Sequence, residues 1–140
     1  VGDMKSERAY FGVTTFNGKV LVAGGTGSPS LEEFDPVSNT WIPPIVPPML
    51  YPIGGRYETD KGAAERESFL AIVNGEIIGL SEKQMQRLDN ATQTWRTSAS
   101  LLVFPSSVHG YGQYLYVHAG GDLYRTLIVT EGEYYMHRKL

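Results

Sequence analysis

An all-β chain of about three four-stranded antiparallel sheets is the fold class the sequence predicts, and three observations predict it. The first is a repeated phrase. Gly18-Lys19 leads to Phe34-Asp35-Pro36-Val37-Ser38-Asn39-Thr40-Trp41, and Gly75-Glu76 leads to Leu88-Asp89-Asn90-Ala91-Thr92-Gln93-Thr94-Trp95, the glycine standing 23 and 20 residues ahead of its tryptophan. A third pass runs from Gly112-Gln113 through Gly120-Gly121 to Tyr134-Tyr135, with Tyr135 in the tryptophan's place 23 residues on. Such self-similarity marks a chain built by stacking one supersecondary unit, because one unit cannot bury its apolar face alone. The second observation is that the apolar runs inside each copy are short, β-branched or aromatic, and bounded by glycine, too short for buried helices. The third is the pairs Asn17-Gly18 and Asn74-Gly75 between such runs, since they supply the positive φ that a two-residue hairpin turn of the mirror type I requires.

The elements follow in order. Strands are expected over residues 10–16 and 20–23, over 69–73 and 76–78, and over 108–111 and 114–117, the first of each pair turning into the second. A third strand follows each glycine-rich stretch, over 31–34, 84–88 and 127–129. The turns Asp35-Pro36-Val37-Ser38-Asn39 and Asp89-Asn90-Ala91 then lead into a fourth strand opening at Trp41 or Trp95, with Asp and Asn supplying side-chain hydrogen bonds to the turn backbone. The glycine pairs Gly24-Gly25 and Gly120-Gly121 lie 96 residues apart, two units of 48.

Arg8-Ala9-Tyr10-Phe11-Gly12-Val13, Gly18 through Gly25 and Phe34 through Trp41 together resemble a kelch repeat, whose blades recur at about 50 residues. The resemblance covers roughly residues 5–135. Copy two replaces the glycine pair with Ser81-Glu82 but keeps Arg66, Leu88-Asp89 and Trp95, while copy three keeps Gly120-Gly121 and loses the tryptophan and the leading arginine. It implies a kelch-type β-propeller arc, an incomplete ring, with blades at about 5–48, 66–100 and 101–140 and a long inter-blade loop over 43–65. Gly24, Gly25, Gly120, Gly121, Trp41 and Trp95 are then the structural residues. The tryptophans are expected to pack between neighbouring blades, where a large aromatic buries about 150–250 Å². A propeller closes with roughly 4–8 blades. Three leave raw sheet edges that invite pairing, so the remaining blades of a larger ring, or a second copy of the chain, are expected against them. Val1-Gly2-Asp3-Met4 reads as the end of a preceding blade's last strand.

Composition bounds the function classes. With 41% apolar and 19% charged residues the chain is globular and not disordered. A net charge of −3 without a Lys/Arg run gives no footprint for nucleic acid, and no apolar stretch approaches the roughly 18 residues a membrane helix needs. Val1-Gly2-Asp3-Met4-Lys5 does not read as a signal peptide. The absence of cysteine removes disulfides and Cys-ligated metal and leans toward a reducing compartment, so a cytoplasmic location is expected. The sequon Asn90-Ala91-Thr92 reads as a chance triplet.

Function is expected in loops. The stretch from Trp41 to Gly75 is 34 residues against 17 from Trp95 to Gly112, and the excess falls on about residues 43–65. It holds Tyr51, Arg56, Tyr57 and Lys61, of which Tyr and Arg are residue types enriched at interaction hot spots, and it ends beside Arg66. It reads either as a binding loop on a rigid scaffold or as a tolerated insertion. Thr26, Ser28 and Ser30 follow the first glycine pair and form the second candidate region. The resemblance implies that both regions share one face. Ala23-Gly24-Gly25-Thr26-Gly27-Ser28 is not a phosphate cradle, because Pro29-Ser30-Leu31 leads into a strand and no helix N-terminus follows. His109, His118 and His137 have no metal-ligand spacing, and His109 is expected to be packed on an innermost strand. No catalytic residue, metal or cofactor is expected. The resemblance implies a protein-interaction module with a protein or peptide partner: the substrate-binding part of a cullin-type ubiquitin ligase adaptor, or an actin-binding module. The alternatives are a kelch-fold enzyme, such as a sugar epimerase or an oxidase fragment, and a degenerate, non-functional fragment. A galactose-oxidase-type copper site is excluded because it needs a Tyr crosslinked to Cys.

Overall fold

The computed structural model describes residues 8, 10–25, 29–43, 45–98, 100–128 and 136–140, with 55–59, 63–66, 136 and 137 described as backbone only. Three four-stranded antiparallel sheets run in sequence order. Blade one is β1 (Gly12–Phe16), β2 (Lys19–Ala23), β3 (Leu31–Asp35) and β4 (Thr40–Ile42). A separate hairpin follows, β5 (Gly55–Thr59) and β6 (Gly62–Arg66). Blade two is β7 (Ser68–Val73), β8 (Glu76–Ser81), β9 (Gln84–Asp89) and β10 (Thr94–Ser98). Blade three is β11 (Ser107–Tyr111), β12 (Tyr114–Ala119), β13 (Asp122–Leu127) and β14 (Met136–Lys139). Among the described residues there is no helix.

The turns form for the reasons the sequence gives. Phe16 pairs with Lys19 and Val73 with Glu76, leaving Asn17-Gly18 (φ 50° and 74°) and Asn74-Gly75 (φ 54° and 72°) as two-residue turns with both central residues left-handed. In blade three Tyr111 pairs with Tyr114, and only Gly112 has positive φ, the pattern of the mirror type II turn. Asp35 Oδ1 accepts from Val37 N at 2.9 Å and Asp89 Oδ1 from Ala91 N at 2.9 Å. The Val37 N–H is the first cause holding the Asp35 carboxyl below its ordinary range.

Stacking decides which face of each strand is apolar. Leu21, Ala23 and Leu31 of blade one meet Leu70, Ile77, Leu88 and Trp95 of blade two. Ala71, Val73, Ile78, Leu80 and Met85 of blade two meet Leu115, Val117 and Ala119 of blade three. Blade two is therefore covered on both sides, which is why Phe69-Leu70-Ala71-Ile72-Val73 is continuous and does not alternate. The first strands lie innermost, β7 between β1 and β11. Their backbones approach closely: a Cβ added to Gly12 would stand 2.8 Å from Leu70 N, and one added to Gly110 would meet the Ile72 peptide. Backbone bonds cross both seams, Ser68 N to Tyr10 O at 3.0 Å and Asn74 N to Gly112 O at 2.8 Å.

Several expectations change. The stretch over 43–65 is not one irregular loop, since its second half is the hairpin β5–β6 and its first half is core, as described below. The third strand of blade three is Asp122–Leu127 and not 127–129, because Gly120 and Gly121 (φ 57° and 83°) turn the chain at once without a loop. Val129 and Tyr135 lie outside the described residues, as does Val1-Gly2-Asp3-Met4. Trp95 packs between blades one and two at 6% exposure. Trp41 is only half-buried, edge-on to Phe34 at 5.3 Å on the face of blade one turned from blade two. His109 is on the innermost strand but exposed, because its face of blade three carries no described neighbour. On that outward face register places Tyr116 and His118 where blade one has Leu21 and Ala23 and blade two Ile78 and Leu80.

The close β7–β11 approach gives a test. Gly110→Ala forces a methyl into the Ile72 peptide and should cost about 1–3 kcal/mol in urea unfolding, the usual range for overpacking. Gly18→Ala adds a methyl in open space and strains only a turn, so it serves as the comparison.

Candidate functional site

The segment joining blades one and two starts from prolines, Pro43, Pro47, Pro48 and Pro52, which hold the chain extended and remove backbone donors. Its apolar residues then turn inward. Met49 (3% exposed) and Ile53 (0%) sit in the same cluster as Leu21, Leu70, Leu88 and Trp95. Several of its backbone groups are held by hydrogen bonds. Trp95 Nε1 donates to Pro47 O at 2.7 Å and Met49 N to Pro29 O at 2.9 Å. The Gln86 side chain, fully buried, accepts from Leu50 N at 2.8 Å and donates to Tyr51 O at 2.9 Å.

One peptide unit is held from three sides. Ile53 O accepts from Gly25 N at 3.0 Å and Ser68 Oγ at 2.8 Å, while Gly54 N donates to Ser81 Oγ at 3.1 Å. The loss of the glycine pair in copy two thus has a structural use. Ser81 supplies an acceptor that glycine lacks, and Glu82 takes the left-handed conformation (φ 55°) without being glycine. Gly24 must remain glycine at φ 85°, because a Cβ there would meet Ile53 O and Ser68 Oγ. The second junction repeats the pattern, with Leu101 buried between blades two and three and its N–H on Lys83 O at 2.8 Å. Sequence reading missed this role of Met49, Ile53 and Gln86. The signal was Met49 and Leu101, each an apolar residue a short way past its tryptophan.

The structure brings the two candidate regions together, through Met49 on Pro29 and Ile53 on Gly25. Thr26 and Ser28 lie outside the described residues. Ser30 is half-buried, its hydroxyl at 3.5 Å from Arg8 Nη2. That arginine is fully buried and also holds Glu32 Oε2 at 2.7 Å and Gly24 O at 3.0 Å. Tyr51 is half-buried, and desolvation raises its phenol above the ordinary 10.0. It lines a recess of about 320 Å³ with Gln84, Thr97 and Ser100. Arg56 and Tyr57 lie on β5 and Arg66 on β6, all described as backbone only, while Lys61 is exposed in the hairpin turn. A second hollow of about 320 Å³ opens where Tyr10, Phe11, Glu67 and Phe69 head the innermost strands. A larger cleft, about 520 Å³, lies at the opposite ends of the strands beside Asn17 and Asn90, and sequence reading did not find it.

Chemistry for covalent catalysis is not assembled at the one Ser–His contact found among the described residues. Ser106 Oγ lies 2.9 Å from His118 Nδ1 but donates to His118 O at 2.9 Å, so its proton is committed to a carbonyl and the imidazole acts as donor. Among the described residues no three His, Asp or Glu side chains cluster as metal ligands.

The kelch motif matches residues 7–44, blade one from its buried arginine to the start of the junction. Blade one is thus similar to a kelch repeat. The whole chain is 28% identical to an F-box/kelch-repeat protein of Arabidopsis thaliana over 151 aligned residues, which cover 96% of this chain and 37% of that relative. The chain therefore spans little more than a third of that relative's length. Three blades stack through their faces, and the junction hairpin stands apart as its own sheet.

Two outcomes are expected at this site. Ile53→Ala should cost about 2–5 kcal/mol in urea unfolding, as for a core residue and not a loop residue. Because the folded Tyr51 phenol is raised, the stability it contributes is full below the unfolded value of 10.0 and is lost as pH rises through the higher folded value. Phenolate absorbance of the wild type minus Tyr51→Phe should have its midpoint above pH 10.0, and a midpoint at or below it would contradict the burial.

Proposed function

We propose that this chain is the partner-recognition part of a larger protein and that it captures a protein or peptide on the side carrying the β5–β6 hairpin, Ser30 and Tyr51. The observation that supports this most is the grip on the Ile53–Gly54 peptide. A hairpin that made no contact would need no such base, whereas one that presents Lys61 and its strand residues to a partner gains from being held rigid. Ser30 and the Tyr51 recess lie beside that base. A substrate-recognition role in a ubiquitin ligase adaptor is favoured over actin binding, because the similar plant protein is described by an F-box together with its kelch repeats. Work as an adaptor of this kind suits a cytoplasmic location, and further blades or a second copy would cover the outward sheet faces.

The test removes the hairpin and keeps its base. Residues 56–65 are replaced by a short Gly-Ser link between Gly55 and Arg66, which face each other in register. Quantitative affinity capture from cell extract should lose most partners of the parent chain, with the urea midpoint little changed. Retention of those partners by the excised variant would reject the hairpin side as the recognition surface.

A further inference from the structure

The cleft of about 520 Å³ lies between blades one and two at the turn ends of the strands, away from the hairpin. Its walls are apolar, Phe16, Leu21 and Val46, with Ile45 at the lip, 83% exposed. One carboxylate is set among them. Glu33 of β3 is 5% exposed, and its Oε1 accepts from Ile45 N at 3.2 Å. Among the described residues no Lys or Arg nitrogen lies within 4.0 Å of it. A carboxylate withdrawn from water without a cation is costly, and a charge-assisted hydrogen bond offsets that cost.

The rim has the same polarity. Asn90 Nδ2 donates to Gly75 O at 3.0 Å and Gln93 Nε2 donates to Asn90 O at 3.0 Å. Both partners are carbonyls, so each side-chain amide is oriented by its nitrogen and its oxygen is left as an acceptor. Lys19 is the one cation lining the cleft among the described residues. Asp35, held ionised first by the Val37 N–H, also feels the Lys19 charge, so that charge is partly balanced outside the cleft.

We propose that this cleft receives an arginine side chain from a partner peptide. The guanidinium meets Glu33 and the amide oxygens, and the methylene stem and an adjacent apolar residue lie on Phe16, Leu21 and Val46. Arginine fits better than lysine because its planar fork of five donors matches several acceptors at once, and its stem covers apolar wall. This is a second recognition surface, at the opposite end of the strands from the hairpin.

The experiment titrates the 15N-labelled 140-residue chain with acetyl-Gly-Arg-Leu-Gly-amide and with the same peptide carrying citrulline, which keeps the shape and removes the charge. The arginine peptide should saturate shifts at the amides of Lys19, Ile45, Val46 and Gly75. Citrulline should bind about tenfold more weakly, Glu33→Gln should weaken the arginine peptide by about tenfold and leave citrulline unchanged, and Lys19→Gln should tighten arginine binding. If Glu33→Gln loses its dispersed spectrum, the citrulline and Lys19→Gln arms decide. Equal binding of the two peptides, or no saturable shift at the four amides, overturns the proposal. Shifts confined to Ser30, Tyr51 and Lys61 overturn it too, while leaving recognition on the hairpin side intact.

Discussion

Blade two is buried on both faces, and that constraint orders the rest of the molecule. A sheet covered twice has no wet side on which to put polar residues, so Leu70 and Ile72 look one way while Ala71 and Val73 look the other. Its polar side chains survive only with partners. Gln86 bonds the junction backbone through both ends of its amide, and Ser68 and Ser81 hold the Ile53–Gly54 peptide. An unpaired polar group of that kind in such a layer would cost more than a single hydrogen bond returns.

The same constraint explains why the junction is both structure and platform. Stacked sheets leave a gap where the chain must cross from the outer strand of one blade to the inner strand of the next. Met49, Ile53 and Leu101 fill those gaps, and their backbones bond to the loops before β3 and β9. In the first crossing the chain then leaves the core as a hairpin before β7 begins. The rigid segment and the projecting one are thus neighbours in sequence, separated at Gly54.

Most of the fold could be read from the sequence because its signals are local. The Asn-Gly turns, the Asp-led turns before each tryptophan and the short apolar runs each reflect backbone geometry within a few residues, and the strands formed where they point. Most of the misses were long-range. Whether Met49 is core or surface depends on blade two arriving beside it. Gly120 and Gly121 turning without a loop moved β13 forward by several residues, which the pattern alone did not disclose. The cleft at Glu33 was invisible for the same reason: its walls come from β1 to β3, the junction and the turns of blade two, stretches far apart in the chain.

Blade three carries Tyr116 and His118 on the face where the preceding blades carry aliphatic side chains. Arg125 lies over the Tyr114 ring at 4.4 Å on that same surface. Hydroxyl, imidazole and guanidinium groups are content in water, so covering this surface yields less from solvent release than closing the two inner seams. Whatever rests there must return hydrogen bonds to these groups, and a purely greasy neighbour would be turned away.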